Sequence, residues 1–123
     1  MSDINREIPF DLEALLREMI ETDASDLHLT VGQPPTFRIH GRLAATPVDQ
    51  KLRPPHTEAV GRRVLDEEQW REFDEEREYD FSFAVEDLSR FRCNIFRQRG
   101  AVALAIRAIP YTIPDFEDLN LPE

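Results

Sequence analysis

The chain has 123 residues, with 25 acidic against 15 basic side chains and a formal net charge of −10. That length is typical of one domain. The acidic balance argues against a general nucleic-acid binder or a protein of anionic membrane surfaces. The single cysteine, Cys93, excludes an internal disulfide and favours a reducing compartment. No segment approaches the roughly 20 apolar residues of a membrane span, so we expect no membrane insertion.

The chain begins with a polar segment, residues 1–9, that we expect to be a flexible leader. Asp11 then precedes a series of apolar residues at helical spacing, with Phe10 before it. This arrangement is typical of a helix that starts with an N-cap and a hydrophobic staple. The series consists of Leu12, Leu15, Leu16, Met19 and Ile20.

Two short strands are predicted to follow this helix. Residues 24–30 alternate strictly between polar and apolar side chains, which places Asp26 and His28 together on the polar face. After a Gly-Gln-Pro-Pro turn, a second alternating segment begins at Phe37, and Gly41 breaks or bends it. The pattern indicates a small antiparallel meander.

The middle of the chain predicts two further helices. Residues 47–55 are expected to form a loop closed by two prolines, after which Thr57 can cap a short helix. Asp66, followed three residues later by Gln69, is a capping-box arrangement for the next helix. The many carboxylates of that helix indicate a solvated face, because no His or Cys stands among them at metal-ligand spacing.

From Tyr79 onward the period returns to two and predicts three more strands, ending at Pro110. The resulting order, α-β-β-α-α-β-β-β, indicates an α+β domain over residues 10–110. We expect its helices to pack on one side of an antiparallel sheet. Residues 111–123 are acidic and contain prolines, and we interpret them as a linker.

The last two predicted strands place three arginines on one face. If Phe91 lies opposite Ile106, the apolar side chains of both strands share one face of the sheet. The other face then presents Arg90, Arg92 and Arg107 beside alanines. Three cations among small side chains would attract phosphate or carboxylate. The alternative is that they pair with the abundant acidic residues of this chain.

Other chemistry finds little support in the sequence. Asp26 and His28 could form an acid–base pair, but no nucleophile stands at a fixed spacing from them, so we favour an interface role. Cys93 alternates with apolar residues and is interpreted as a core thiol. The chain lacks a Gly-x-x-x-x-Gly-Lys-Ser/Thr phosphate loop and the common zinc and dithiol motifs. We expect no metal site.

Three blocks of sequence, in order and at matching spacing, carry a family resemblance. They are residues 24–29 (Ala-Ser-Asp-Leu-His-Leu) with 32–35 and 38–41, then 80–83 with 89–100, and last 106–110 followed by 116–119. Together they resemble the N-terminal domain of type IV pilus retraction ATPases. These are the twitching-motility members of the secretion ATPase superfamily.

This resemblance implies a PAS-like domain joined by a linker to a RecA-like motor domain. Members of the family work as cytoplasmic homohexamers at the cytoplasmic face of the inner membrane, where they hydrolyse ATP with Mg²⁺. The implied partners are motor domains of the same and neighbouring subunits and the inner-membrane platform protein of the pilus. The resemblance favours retraction over extension and implies no nucleic acid.

The resemblance also assigns roles to particular side chains. Arg92 and Arg107 match family arginines that contact the phosphates of ATP bound by the motor domain, and Arg99 is a weaker third candidate. Asp26, His28 and Arg90 are then expected at the interface with a motor domain. An interdomain hinge is expected as well.

The chain ends where the family's motor domain would begin. We therefore expect no ATP hydrolysis by this chain alone, no bound cofactor in the isolated domain, and loss of hydrolysis in the full-length protein when Arg92 or Arg107 is removed. The alternative function is that of a stand-alone PAS-like binding or regulatory module that docks on a pilus or secretion motor. That module would need a cavity inside its core.

Overall fold

A computed structural model of the chain describes residues 8–109. Its elements are helices α1 (Leu12–Glu21), α2 (Pro54–Val64) and α3 (Glu67–Glu76), and strands β1 (Asp26–Leu29), β2 (Thr36–Ile39), β3 (Arg42–Ala45), β4 (Glu78–Val85), β5 (Ser89–Gln98) and β6 (Ala101–Ile109). None of these helices is long and apolar enough to cross a membrane. The predicted α+β class is confirmed.

All six strands form one sheet in the order β3-β2-β1-β6-β5-β4, and every neighbouring pair is antiparallel. The two halves of the chain meet at its centre, where β1 pairs with β6. Apolar side chains such as Cys93, Ile95 and Ile106 face the helices and are fully buried. The opposite face is open to solvent over most of β4 and β5, and we call it the open face.

Two of the three predicted helix starts are confirmed. Asp11 accepts a hydrogen bond from the backbone amide of Ala14 at 3.1 Å. The capping box at α3 is complete, because Asp66 accepts from the Gln69 amide at 2.7 Å and the Gln69 side chain accepts from the Asp66 amide at 3.0 Å. Both caps satisfy amides that a first helical turn leaves without a partner.

The predicted cap at Thr57 is wrong. Helix α2 already begins at Pro54, and Thr57 is buried within it. Prolines suit the first turn of a helix because their fixed φ is helical and their missing amide hydrogens would have no helical acceptor there. The two prolines that were expected to close a loop therefore open the helix instead.

The second predicted strand is two strands. His40 and Gly41 have φ angles of 52° and 79°, and they form a two-residue turn between β2 and β3. Tight hairpins favour such left-handed residues because the turn then matches the twist of the strands. Gly41 therefore reverses the chain rather than bending it, and Leu43 lies exposed on edge strand β3.

The β5–β6 hairpin has the predicted faces but not the predicted register. Cys93, not Phe91, lies opposite Ile106. The shift of two residues keeps each side chain on its expected face, since the strand period is two. The turn sets the register, because Arg99 and Gly100 adopt φ angles of 55° and 82° and together form its two-residue loop.

Large side chains fill the space between sheet and helices, among them Phe37, Phe73, Phe91, Leu16 and Met19. Cys93 lies in this core, as predicted. Ile8, near the end of the predicted leader, is buried as well. The rest of the leader, residues 1–7, and the predicted linker, 111–123, lie outside the described residues.

Candidate functional site

Charged side chains cross the open face of the sheet in one row. Arg107 on β6 lies directly opposite Asp26 on β1 and directly opposite Arg92 on β5. Asp26 in turn lies opposite Arg38 on β2. Directly opposed residues have their side chains on the same face, so the sheet register aligns these groups side by side. With Asp80 of β4 next to Arg92, these residues form what we call the charged row.

Arg92 is clamped by Asp80 from the neighbouring edge strand. Its Nη2 and Nε donate to the two carboxylate oxygens of Asp80 at 2.8 and 3.3 Å, which is a bidentate pair. The hydrogen bond to Arg92 holds the pKa of Asp80 below its ordinary value and raises that of Arg92. Both side chains remain reachable, with 65% of Arg92 and 47% of Asp80 exposed.

Arg107 is held more loosely. Its Nε and Nη2 both approach the same oxygen, Oδ2 of Asp26, at 3.4 Å. The other carboxylate oxygen of Asp26 accepts a short hydrogen bond of 2.6 Å from the Ser25 hydroxyl. Asp26 is only 13% exposed, whereas Arg107 is 69% exposed. A fixed carboxylate thus positions a guanidinium whose outer surface faces solvent.

The two arginines face a shallow depression of about 260 Å³ on the open face, which we call the charged depression. Asp26, Glu78, Asp80, Asn94 and Ala105 complete its lining. Glu78 accepts from the Asn94 side chain at 3.3 Å. Three carboxylates therefore surround two guanidinium groups, so an incoming anion meets as much repulsion as attraction.

Arg90 lies on the same face, two residues along β5 from Arg92. It is exposed, and its Nη2 donates to the Ser82 hydroxyl at 3.1 Å. Register therefore brings together the three arginines that the sequence grouped. Arg92 and Arg107 pair with acidic side chains, which is the alternative that the acidic composition left open, whereas the partner of Arg90 is a hydroxyl.

Arg99 lies apart from this group. It occupies the β5–β6 turn, seven residues along the strand from Arg92, or about 23 Å at the usual rise of a strand. There it lines a separate depression of about 490 Å³ with Thr30, Gln33 and Pro54. The fold does not bring Arg99 to the charged row.

His28 lies two residues after Asp26 on β1 and therefore on the same face, opposite Thr36 on β2 and Ala105 on β6. It is half-buried, and its Nε2 is shielded from solvent without a hydrogen-bond partner among residues 8–109. Such an orphaned polar atom is costly unless a further group satisfies it. This observation gives no support to an acid–base pair with Asp26, and the interface role of His28 stays a prediction.

Sequence reasoning missed two members of the charged row. Asp80 could have been found from the three-residue turn at 86–88, which fixes the β4–β5 register and so places Asp80 diagonally from Arg92. Arg38, whose Nη1 donates to the Gly41 carbonyl at 3.0 Å, depends on the β1–β2 register in the same way.

The described residues offer no metal centre, and a depression of about 210 Å³ opens between α1, α2 and edge strand β4, with Leu12, Leu16 and Phe83 among its lining residues. No three His, Cys, Asp or Glu side chains between residues 8 and 109 are grouped so that they could hold a metal ion. A larger depression, of about 540 Å³, lies where Ile20 and Ser25 meet the β2–β3 turn and Ile109, rather than between sheet and helices. The arrangement that can do chemistry is the pair of exposed guanidinium groups, which suits the oxygens of a phosphate or carboxylate.

No protein-family model matches the chain. It is similar to two curated proteins of Pseudomonas aeruginosa. The type IV pilus ATPase PilU is 39% identical over 114 residues, and the type IV pilus retraction ATPase PilT is 34% identical over 116 residues. Each match covers 92% of this chain but only 29% and 33% of the relative. The chain thus spans about a third of the length of these proteins.

A solved structure agrees with the sequence comparison. The crystal structure of the pilus retraction motor PilT with bound ADP superimposes with a TM-score of 0.78 at 39% identity. The match covers 93% of this chain and 33% of that one. The resemblance seen in the sequence motifs is therefore confirmed in sequence and in fold.

Proposed function

We propose that this chain, which is similar in sequence and fold to a part of type IV pilus ATPases, is their N-terminal domain and presents Arg92 and Arg107 to the phosphates of ATP bound by a motor domain of such an ATPase. The observation that best supports this role is the direct pairing of the two arginines on the open face. Cα atoms of directly opposed residues lie about 4.5 to 5.5 Å apart. Two long guanidinium side chains at that spacing can reach one phosphate group together.

The chemistry that these side chains would supply is positive charge. During phosphoryl transfer, charge spreads over the transferred group, and an arginine placed against it can be worth on the order of 10³ to 10⁵ in rate. Arg92 and Arg107 are exposed enough to leave the sheet and meet such a group. In this proposal the motor domain holds the nucleotide and its Mg²⁺, and this domain contributes only the arginines.

The same face would contact a motor domain. Asp26, His28 and Arg90 flank the arginines on the open face, and the unsatisfied Nε2 of His28 is the group for which an interface would supply a partner. The wider setting remains part of the proposal: a homohexamer on the cytoplasmic side of the inner membrane, beside the pilus platform protein, that retracts the pilus. An interdomain hinge after β6 would let the arginines approach and leave the nucleotide.

The test is a chimera in which this chain replaces the corresponding domain of Pseudomonas aeruginosa PilT. We expect Arg92→Ala and Arg107→Ala each to reduce ATP turnover by at least two orders of magnitude, while the isolated domain keeps its circular dichroism spectrum. Arg17→Ala is the matched control. It removes one exposed positive charge from α1, on the helix side of the sheet, and is expected to leave turnover unchanged.

Near-normal turnover in both arginine variants would overturn the proposal. If the chimera fails to assemble, the isolated chain provides a second measurement. Inorganic tripolyphosphate should shift the Arg92 and Arg107 Nε–Hε signals in nuclear magnetic resonance spectra, and it should leave that of Arg17 in place. Equal shifts at all three arginines would count against the assignment.

The alternative function, a stand-alone PAS-like binding or regulatory module, has less support. That function needs a chamber between sheet and helices, and the described core is occupied there by Phe37, Phe73 and Phe91, each at most 1% exposed. Phe81 and Phe83 pack against this core from edge strand β4 and are half-buried.

A further inference from the structure

The structure points to a latch on one of the two arginines: we propose that Asp80 holds Arg92 against the sheet through the Nε–Nη2 edge of its guanidinium and must release that edge before it can bind a phosphate. This inference rests on the proposed function and names a positioning residue for it. In this role Asp80 would not contact the nucleotide. It would act only through Arg92.

The first observation is the difference between the two arginines. Arg92 gives two hydrogen bonds to two oxygens of Asp80, at 2.8 and 3.3 Å, in the geometry that also binds a phosphate bidentately. Arg107 has only two contacts of 3.4 Å to a single oxygen. The Nε–Nη2 edge of Arg92 is therefore already occupied by a carboxylate, while its Nη1 donors are not occupied by any described residue, and the donors of Arg107 are only weakly engaged.

The second observation is the position of the two carboxylates that pair with these arginines. Asp26 is fixed by the Ser25 hydroxyl and largely buried, so it stays in place whatever Arg107 does. Asp80 lies on edge strand β4 and is half-exposed, and its carboxylate has no hydrogen-bond partner besides Arg92 among the described residues. After Arg92 departs, water can solvate Asp80 at little cost, which makes the contact reversible.

The third observation is the charge of the depression. Asp26, Glu78 and Asp80 outnumber Arg92 and Arg107 there, so the resting surface does not favour a free anion. A latch of this kind keeps Arg92 neutralised until a phosphate arrives that is held in place by other groups. Arg107 would engage first, and Arg92 would follow by exchanging one pair of oxygens for another.

The experiment measures how tightly the 123-residue chain binds inorganic tripolyphosphate, by titration calorimetry and by the Arg92 Nε–Hε signal. Asp80→Asn and Asp80→Ala are expected to tighten binding roughly two- to fivefold, the range that an exposed ion pair allows. Glu78→Gln is the matched control, because it removes the same charge from the same strand and face without touching Arg92. It should produce a smaller gain.

A second set of variants ties the effect to Arg92. In an Arg92→Ala background, Asp80→Asn should give no more gain than Glu78→Gln does. The latch is overturned if Asp80→Asn and Glu78→Gln tighten binding equally, if the gain survives without Arg92, or if Asp80→Asn binds no tripolyphosphate or binds it more weakly.

The two proposals can fail separately. If Arg92→Ala lowers turnover of the chimera while Asp80→Asn leaves tripolyphosphate binding unchanged, the latch is wrong and the arginine role stands. If Asp80→Asn tightens binding and Arg92→Ala leaves turnover unchanged, the latch exists but does not serve ATP hydrolysis.

Discussion

Arg92 and Arg107 are direct cross-strand partners on β5 and β6, so two positive charges lie opposite each other at the centre of the open face. Like charges at such positions destabilise a sheet. Asp80 and Asp26 lie on the outer sides of the pair and offset the repulsion. A sheet that needed only stability would not place its arginines in this way.

The repulsion can be measured by a double-mutant cycle with Arg92→Ala, Arg107→Ala and the double variant. We expect an unfavourable coupling between the two arginines, because Arg107→Ala should cost less stability when Arg92 is present than when it is absent. The measurement is urea unfolding at low and high salt. The coupling should shrink as salt rises, since both side chains are exposed. A favourable coupling at low salt would contradict this account.

Because of the Asp80–Arg92 pair, we expect the stability of the fold to depend on pH in the acidic range. Because Arg92 lowers the pKa of Asp80 in the folded chain, the pair stabilises the fold above the carboxyl's ordinary pKa of 3.8, and the contribution is lost as the pH falls through the lower folded value. Carbon-detected titration of the Asp80 carboxyl should give a pKa below 3.8, and Arg92→Ala should move it back up. An unchanged titration in Arg92→Ala would show that another group lowers this pKa.

We expect the thiol of Cys93 to be unreactive toward thiol reagents in the native state. Cys93 is fully buried, and burial raises the pKa of its thiol far above the usual range. The thiolate is the reactive form, so a thiol reagent at pH 8 should label the folded chain only through unfolding. We expect labelling to be complete within minutes in urea and slower by several orders of magnitude without it. Rapid labelling of the native chain would place Cys93 outside the core.

The same thiol makes a smaller prediction for alkaline pH. The unfolded chain releases the Cys93 proton near its ordinary pKa of 9.0, while the folded chain retains it. Stability should therefore decline as the pH rises above about 9. Cys93→Ala removes this dependence and is the control.

The sequence correctly predicted which face of the sheet each side chain of β5 and β6 lies on, but not the register between these strands. Strict alternation was enough to place Arg90, Arg92 and Arg107 on one face, because a shift of two residues leaves the faces unchanged. It placed the turn of the last hairpin one residue too early, with Phe91 rather than Cys93 opposite Ile106. The position of the turn depended on which residues, Arg99 and Gly100, adopt a left-handed conformation.

The pairing of β1 with β6 could not be predicted from the sequence, for a different reason. Asp26 and Arg107 are 81 positions apart, and no turn fixes the register between them. Asp26 therefore emerged as the partner of Arg107 only with the assembled sheet. For the same reason, His28 was recognised as a polar-face residue, while its shielded and unpartnered Nε2 was not foreseen.

Gly61 is predicted to be required for helix α2 to approach the sheet. A β-carbon built at this position would lie 2.7 Å from Cδ1 of Ile95 and 2.9 Å from the Trp70 ring. Alanine normally favours a helix over glycine by up to about 1 kcal/mol. Here we expect Gly61→Ala to lower the free energy of unfolding by about 1 to 3 kcal/mol instead, because overpacking a core displaces side chains that have no room to move.

A second variant separates this clash from a change in helix propensity. Ile95→Val removes the Cδ1 atom that the new methyl group would strike, at a cost of its own of about 0.5 to 1.5 kcal/mol. Gly61→Ala should therefore be less destabilising in the Ile95→Val background than in the original chain, as measured by urea unfolding. Because Trp70 is half-buried and still lies within 2.9 Å, the rescue should be partial. If the two substitutions have additive effects on the free energy of unfolding, the clash with Ile95 is not the cause of the destabilisation by Gly61→Ala.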